Sequence, residues 1–215
     1  MNLRPIVINQ QGISLAGSLI APDENSKKKL PAVIFYHGMV SQSKPRYVKR
    51  AQALARVGIA SLVFDFRGCG ESGGKLNKVS ISQWFSDAQA AFNFLSKQSF
   101  VDQNRIGISG KSFGGYIAAL VCQKHKVQSM VLQAPAVYSD SWFKIPYPPS
   151  NWHDNTYAEQ RRIYRNSGKA LDNKAIKAIK KYSGALLIVG SELDDICPKK
   201  IIEEYYNASP SKKKK

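Results

Sequence analysis

The stretch RIGISGKSFGGYIAALVC, Arg105 to Cys122, decides the fold. RIGIS is a short apolar run of strand length, Gly110 interrupts it, and FGGYIAALVC has the small, apolar composition of a helix laid on a sheet. Between the two lies Gly110-Lys111-Ser112-Phe113-Gly114, a G-x-S-x-G turn. A strand that passes this abruptly into a helix holds Ser112 at the tip of a strained backbone. It needs small neighbours at Gly110 and Gly114 and leaves room at Gly115 for close helix–sheet packing. The free N–H groups and positive end of the helix then face any negative charge developing beside the Ser112 hydroxyl. Gly110-Lys111-Ser112 also imitates the end of a phosphate-binding loop. That loop requires a glycine five residues before Gly110, where Arg105 stands, and the nucleotide reading fails there.

Outward from this turn, short apolar runs alternate with longer amphipathic ones, the pattern of an α/β protein with a mainly parallel sheet and helices on both faces. Ile6 to Asn9 and Ile13 to Pro22 predict a hairpin around Gln11-Gly12, and Pro31 to Gly38 predicts a buried strand. A helix over 45–57 stops at Gly58, and a strand over 59–66 runs into the glycine-rich turn RGCGESGG. A helix follows over 81–98, with Trp84, Ala88, Ala91, Phe92 and Leu95 on one side. Strands at 127–135 and 184–190 and a helix at 199–207 complete the series. Residues 138–183 break the rhythm. Their first part carries Trp142, Phe143, Pro146, Tyr147, Pro148, Pro149 and Trp152, which argues against disorder and predicts a small cap over a pocket, with satellite core packing as the alternative.

The 215 residues suit a single domain, 1–215. The formal net charge is +17, yet the lysines are scattered over 27–29, 174–181, 199–200 and 212–215 without interleaved aromatics. That distribution describes a solvated basic surface rather than a specific nucleic-acid interface. Cys69, Cys122 and Cys197 are too few and too far apart for a disulfide framework or a zinc site, and no metal or cofactor is expected. The N-terminus lacks the apolar core of a signal peptide, and no run is long enough to span a bilayer. The expected location is cytoplasmic.

Four segments in order, FYHGM (35–39), FDFRGCGESGG (64–74), GISGKSFGG (107–115) and IVGSELDDICP (188–198), resemble the α/β-hydrolase superfamily. The resemblance is strongest to its small esterase-like and serine-aminopeptidase-like members and runs from about Ile13 to Asn207. It implies that Ser112 is a nucleophile and that the backbone N–H groups of Met39 and Phe113 form an oxyanion hole. It makes His37 a loop-orienting residue, and Asp65, Arg67, Gly68, Gly70 and Ser72 a turn that holds loops together. The triad acid should follow the strand over 184–190, where Glu192, Asp194 and Asp195 compete. The position before Pro198 favours Asp194, with Asp195 its solvent-facing neighbour.

The resemblance also places a histidine after the acid, yet no histidine follows His153 in this sequence. His37 belongs to the oxyanion turn, His125 to the far end of the helix that begins at Ser112, and His153 to the presumed cap. Read this way, the chain is a hydrolase truncated at its C-terminus, lacking the last strand and helix of the fold. A sheet edge is left uncovered and favours self-association. The leading function is hydrolysis of small carboxylic esters through an acyl-enzyme at Ser112, impaired by the absent histidine. Peptide or amide hydrolysis is the alternative within the same chemistry, and a non-catalytic remnant or binding protein is the alternative outside it.

Overall fold

The computed structural model describes residues 1–24, 28–39, 44–147 and 155–215. Among the described residues, seven strands form one sheet in the order β1-β2-β4-β3-β5-β6-β7. β1 (Asn2–Gln10) and β2 (Ile13–Ala21) are an antiparallel hairpin whose turn is Gln11 and Gly12, both at positive φ. β2 also pairs antiparallel with β4 (Ala60–Phe64). From β4 onward the sheet is parallel, through β3 (Leu30–Tyr36), β5 (Val101–Lys111), β6 (Ser129–Gln133) and β7 (Ala185–Val189). β5 begins earlier than the apolar run at Arg105 suggests. Its first residue pairs with Leu30 across a bulge that lets the polar residues Asp102 to Asn104 sit inside a strand.

Strand residues alternate between two cores, as the pleat requires. Ile34, Tyr36, Leu62, Phe64, Ile108 and Leu132 face the larger one. It is covered by α2 (Ile81–Ser96), α3 (Phe113–Val121), α5 (Lys174–Ile179) and α6 (Lys199–Ala208), with α4 (Asn155–Asn166) preceding α5. Ile20, Phe35 and Val63 face the smaller core under α1 (Lys44–Arg56). The predicted helices therefore lie on both faces. Toward β7 the α1 side thins out, and Leu187 and Val189 are exposed there.

Much of the segment over 138–183 packs into the core. Tyr138, Tyr147, Ala170, Ala175, Ile176, Ile179 and Tyr182 are buried in the larger core, and α5 packs between α3 and α6. Its second half is thus a crossover helix between β6 and β7, with Asn173 capping α5 through bonds from the Ala175 and Ile176 N–H groups. Pro148, Pro149, Trp152 and His153, on which much of the cap reading rests, lie outside the described residues, as does Lys27.

The edge expected to stand open at β7 is partly covered. Lys213 to Lys215 run parallel to it, with the Leu186 N–H donating to the Lys213 carbonyl (2.9 Å), the Lys215 N–H to the Leu186 carbonyl (3.0 Å) and the Ile188 N–H to the Lys215 carbonyl (2.9 Å). The terminal lysines therefore contribute backbone to the sheet while their charges blunt its edge.

One buried ion pair fixes the turn after β4. Arg67 donates to Asp87 of α2 through Nη2 (2.6 Å) and Nε (2.9 Å), with both side chains almost wholly buried, and the Trp84 indole N–H donates to the Arg67 carbonyl (2.9 Å). Removing one partner strands the other charge in the core. Asp87→Ala should therefore lower the unfolding free energy by about 3–5 kcal/mol, measured by equilibrium urea denaturation.

Candidate active site

Ser112 sits between β5 and α3 with φ 50° and ψ −114°, a conformation that costs an ordinary residue about 1–3 kcal/mol. Its neighbours hold it there. The Ser112 N–H donates to the Gln133 carbonyl at the end of β6 (2.8 Å), and the Ser112 carbonyl accepts from Gly115 (2.9 Å) and Ala136 (3.1 Å). A Cβ on Gly114 would strike the carbonyl of Tyr36, and one on Gly110 the carbonyl of Gly114. No residue but glycine allows β3, β5 and α3 to approach this closely. Beneath the turn, Phe113 is packed edge-on by Trp84 (4.9 Å), Tyr138 (5.7 Å) and Phe66 (5.8 Å).

The turn after β3 comes alongside. A Cβ on Gly38 would lie 3.8 Å from the Ser112 Cβ, so the backbone leading to Met39 runs directly past the serine. Phe113 is the first residue of α3, where an amide N–H has no acceptor within the helix. His37 orders this turn. Its Nε2 accepts from the Phe66 N–H (3.0 Å), so Nδ1 carries the proton and donates to the Gly38 carbonyl (2.6 Å). Both ring nitrogens are thereby engaged, and burial depresses the pKa below the ordinary 6.5 against smaller opposing effects from the Gly38 bond and Asp65.

The D-x-R-G-x-G-x-S segment is a knot of loop contacts. Asp65 accepts from the Glu71 N–H (3.1 Å), and the Ser72 hydroxyl donates to the Asp65 carbonyl (2.5 Å) while accepting from the Ala16 N–H (2.9 Å). The loop after β7 supplies the carboxylates. Asp194 is half-buried and its Oδ1 accepts from the N–H groups of Ile196 (2.9 Å) and Cys197 (2.8 Å), while Glu192 and Asp195 are exposed. That turn delivers Cys197, which is buried near enough to Ser112 for the serine hydroxyl to favour its thiolate. Burial pushes the Cys197 thiol up, and Arg165, Arg161 and the contact with Ser112 pull it back.

The remaining histidines are elsewhere. His125 follows α3 and stacks on Phe92 (4.5 Å), its pKa lowered by burial, and His153 is outside the described residues. Among the described residues no His, Cys, Asp and Glu side chains group to hold a metal, and no helix is long and apolar enough to cross a membrane. Cys69, Cys122 and Cys197 form no disulfide with one another.

Sequence reasoning missed two neighbours of this site, Cys197 and Arg165. Cys197 stands beside the favoured acid and before Pro198, so its place near Ser112 follows once that loop is docked. Arg165 lies in the polar helix α4, and no local pattern marks it.

Comparison with known proteins came out as follows. The family model described as serine aminopeptidase, S33, matches residues 27–167. An uncharacterized 31.7 kDa protein of Escherichia coli is 31% identical over 124 residues, which are 57% of this chain and 42% of that protein. The chain thus spans less than half the length of that relative. Est1E from Butyrivibrio proteoclasticus, solved with ferulic acid bound, superposes with a TM-score of 0.73 at 21% identity, covering 98% of this chain and 87% of that one. Acetyl xylan esterase 1 from a Thermoanaerobacterium species superposes with a TM-score of 0.70 at 20% identity, covering 98% and 74%.

Because folded His37 holds a proton less tightly than an unfolded histidine, the unfolded chain binds more protons in acid. This share of stability is complete above the ordinary value of 6.5 and is lost as pH falls below it. Thermal melts between about pH 7.5 and about pH 5.5 should show a falling Tm. His37→Asn should flatten that fall, leaving the part due to His125.

Proposed function

Since the chain belongs to the serine aminopeptidase S33 family of α/β hydrolases, we propose that it cleaves small carboxylic esters through an acyl-enzyme on Ser112. The strained serine at the N-terminus of α3, beside the Gly38-Met39 turn, carries this reading. Ser112 Oγ attacks the ester carbonyl. The Met39 and Phe113 N–H groups receive the oxyanion, the alcohol departs, and water releases the acid. Asp194 has the position of the acid that would orient a histidine, its Oδ1 already held by Ile196 and Cys197.

The step these 215 residues support least is proton removal from Ser112. Both nitrogens of His37 are occupied, His125 lies beyond α3, and no histidine follows His153. Loss of the base costs on the order of 10⁶ in turnover in a model serine protease. Residual activity is therefore greatest on esters whose leaving group departs without a proton, p-nitrophenyl esters above all. Oxyanion stabilisation and binding survive loss of the base and leave a rate roughly 10³–10⁴ over water. For these residues taken alone, esters react in preference to peptides on the same ground, because an amine leaving group must be protonated. The family description keeps peptides as the second reading.

A fluorophosphonate probe should label the wild-type chain slowly and fail to label Ser112→Ala. An initial burst of p-nitrophenol, absent in Ser112→Ala, should accompany p-nitrophenyl esters and exceed any release from amino-acid p-nitroanilides. Equal labelling of the wild type and Ser112→Ala sinks the acyl-enzyme. Faster release from the anilides replaces the ester reading with the peptide one.

A further inference from the structure

We propose that the end of the molecule opposite Ser112 docks on an anionic lipid surface. The lysines are scattered along the sequence, and the parallel sheet gathers them. The chain enters β3 from Lys28 and Lys29, β6 from Lys124 and Lys126, and β7 from Lys180 and Lys181, all of them exposed. Because β3, β5, β6 and β7 are parallel neighbours, these entries lie side by side at the amino ends of the strands. The terminal segment extends the row, since it runs parallel to β7 and meets its start at Lys212 and Lys213. At the usual spacing of neighbouring strands the row is about 19 Å wide from β3 to that segment.

Opposing charge at this end is slight. Among the described residues it comprises Asp23, Glu24 and Asp102, with Glu24 paired to Arg4 (3.2 Å) and Asp102 accepting from the Asn104 N–H (3.0 Å). Lys124, Lys126, Lys180, Lys181, Lys212 and Lys213 enter no ion pair among the described residues. The helix dipole accounts for one cation at the C-terminal end of α3 and one at that of α5, Lys124 and Lys180. It does not account for Lys126, Lys181, Lys28 and Lys29, or Lys212 and Lys213, which belong to no helix. An exposed aliphatic side chain at the same end favours lipid over nucleic acid. Val57, in the turn between α1 and β4, is 71% exposed and follows the exposed Arg56. Aliphatic groups amid lysines suit the bilayer interface, where apolar parts bury and ammonium groups stay with the headgroups. Among the described residues this end presents no row of exposed aromatics for stacking on bases. Ser112 follows the carboxyl end of β5, so a chain docked by the lysine row keeps the serine turn toward water.

Sedimentation of the intact chain with vesicles tests the docking. Vesicles of about one phosphatidylserine to two phosphatidylcholines should carry the wild type down, pure phosphatidylcholine should not, and added salt should release it. Each lysine near such a surface is worth about fivefold in affinity. The combined variant Lys124→Glu, Lys126→Glu, Lys180→Glu and Lys181→Glu should therefore bind at least about a hundredfold more weakly. An equal change of net charge at the other end is Lys75→Glu, Lys78→Glu, Lys144→Glu and Lys199→Glu, in the segments that follow β4, β6 and β7. It should bind within about threefold of the wild type, because those charges lie beyond the screening length from a surface docked at the amino ends. Val57→Asp should weaken binding about tenfold. If the first combined variant does not fold, its Lys124/Lys126 and Lys180/Lys181 halves carry the test, each with a loss of about twenty-five-fold. Equal losses in the two combined variants overturn the proposal, because net charge and not this face would then do the binding. So does a wild type that stays in solution with the anionic vesicles. Tighter retention on duplex DNA than on vesicles at the same salt, lost in the first combined variant, assigns the face to nucleic acid and overturns it as well.

Discussion

The close approach of Gly114 to the carbonyl of Tyr36 is the constraint on which the rest depends. It brings the first turn of α3 onto the end of β3. In one contact the serine loop, the following N–H groups and the Gly38-Met39 turn occupy the same few ångströms. The unfavourable backbone at Ser112 is offset by bonds from three directions, to Gln133 of β6, Gly115 of α3 and Ala136 in the loop beyond β6. Two of these bonds, with Gln133 and Ala136, reach more than twenty positions along the chain. The strained turn persists because the parallel pairing of β3, β5 and β6 has already placed its acceptors and donors. The sheet thus supplies the strain energy, and the site inherits its precision from the register.

A second layer of order comes from side chains that bond to the loops around Ser112. His37 reads as chemistry in isolation, yet its two nitrogens join Phe66 and Gly38 and set the path of the Met39 backbone. Arg67 and Asp87 join the next loop to α2, and Asp65 and Ser72 close it on itself. Titratable groups are concentrated around these loops because irregular backbone at the carboxyl ends of buried strands leaves N–H and carbonyl groups that only polar side chains can satisfy.

What was legible in the sequence follows a physical division. Strands, helices and the elbow are written in local terms. The Gly110 to Gly114 turn, the apolar runs from Pro31 to Gly38 and from Gly184 to Gly190, and the Gln11-Gly12 hairpin all emerged where their periodicity and turn residues placed them. Features set by long-range pairing were illegible. Lys212 to Lys215 reads as solvated charge, because side-chain character dominates a sequence reading. Yet Lys213 and Lys215 bond to β7 through backbone groups that every residue shares. The early start of β5 at Val101 depends in the same way on Leu30 being present across the bulge. Residues 138–183 looked like one insertion because their aromatics and prolines cluster, whereas α5 is fixed by its packing on α3 and α6.

Arg165 shows why the finest features of the site escape a linear reading. In the sequence QRRIYRN it is one of three arginines on a polar helix, and solvation is its default fate. Arg162 follows that default, pairing with Glu159 at the surface (2.6 Å). Three residues on, the same side chain type is buried under a loop more than thirty positions away, held by the Ile196 carbonyl, |i−j| 31. Helical phase separates the two. The loop from β7 arrives on the side where 165 points inward. A guanidinium so placed ties the Val137 and Ile196 carbonyls and the Tyr138 ring together, joining the loop after β6 to the loop after β7.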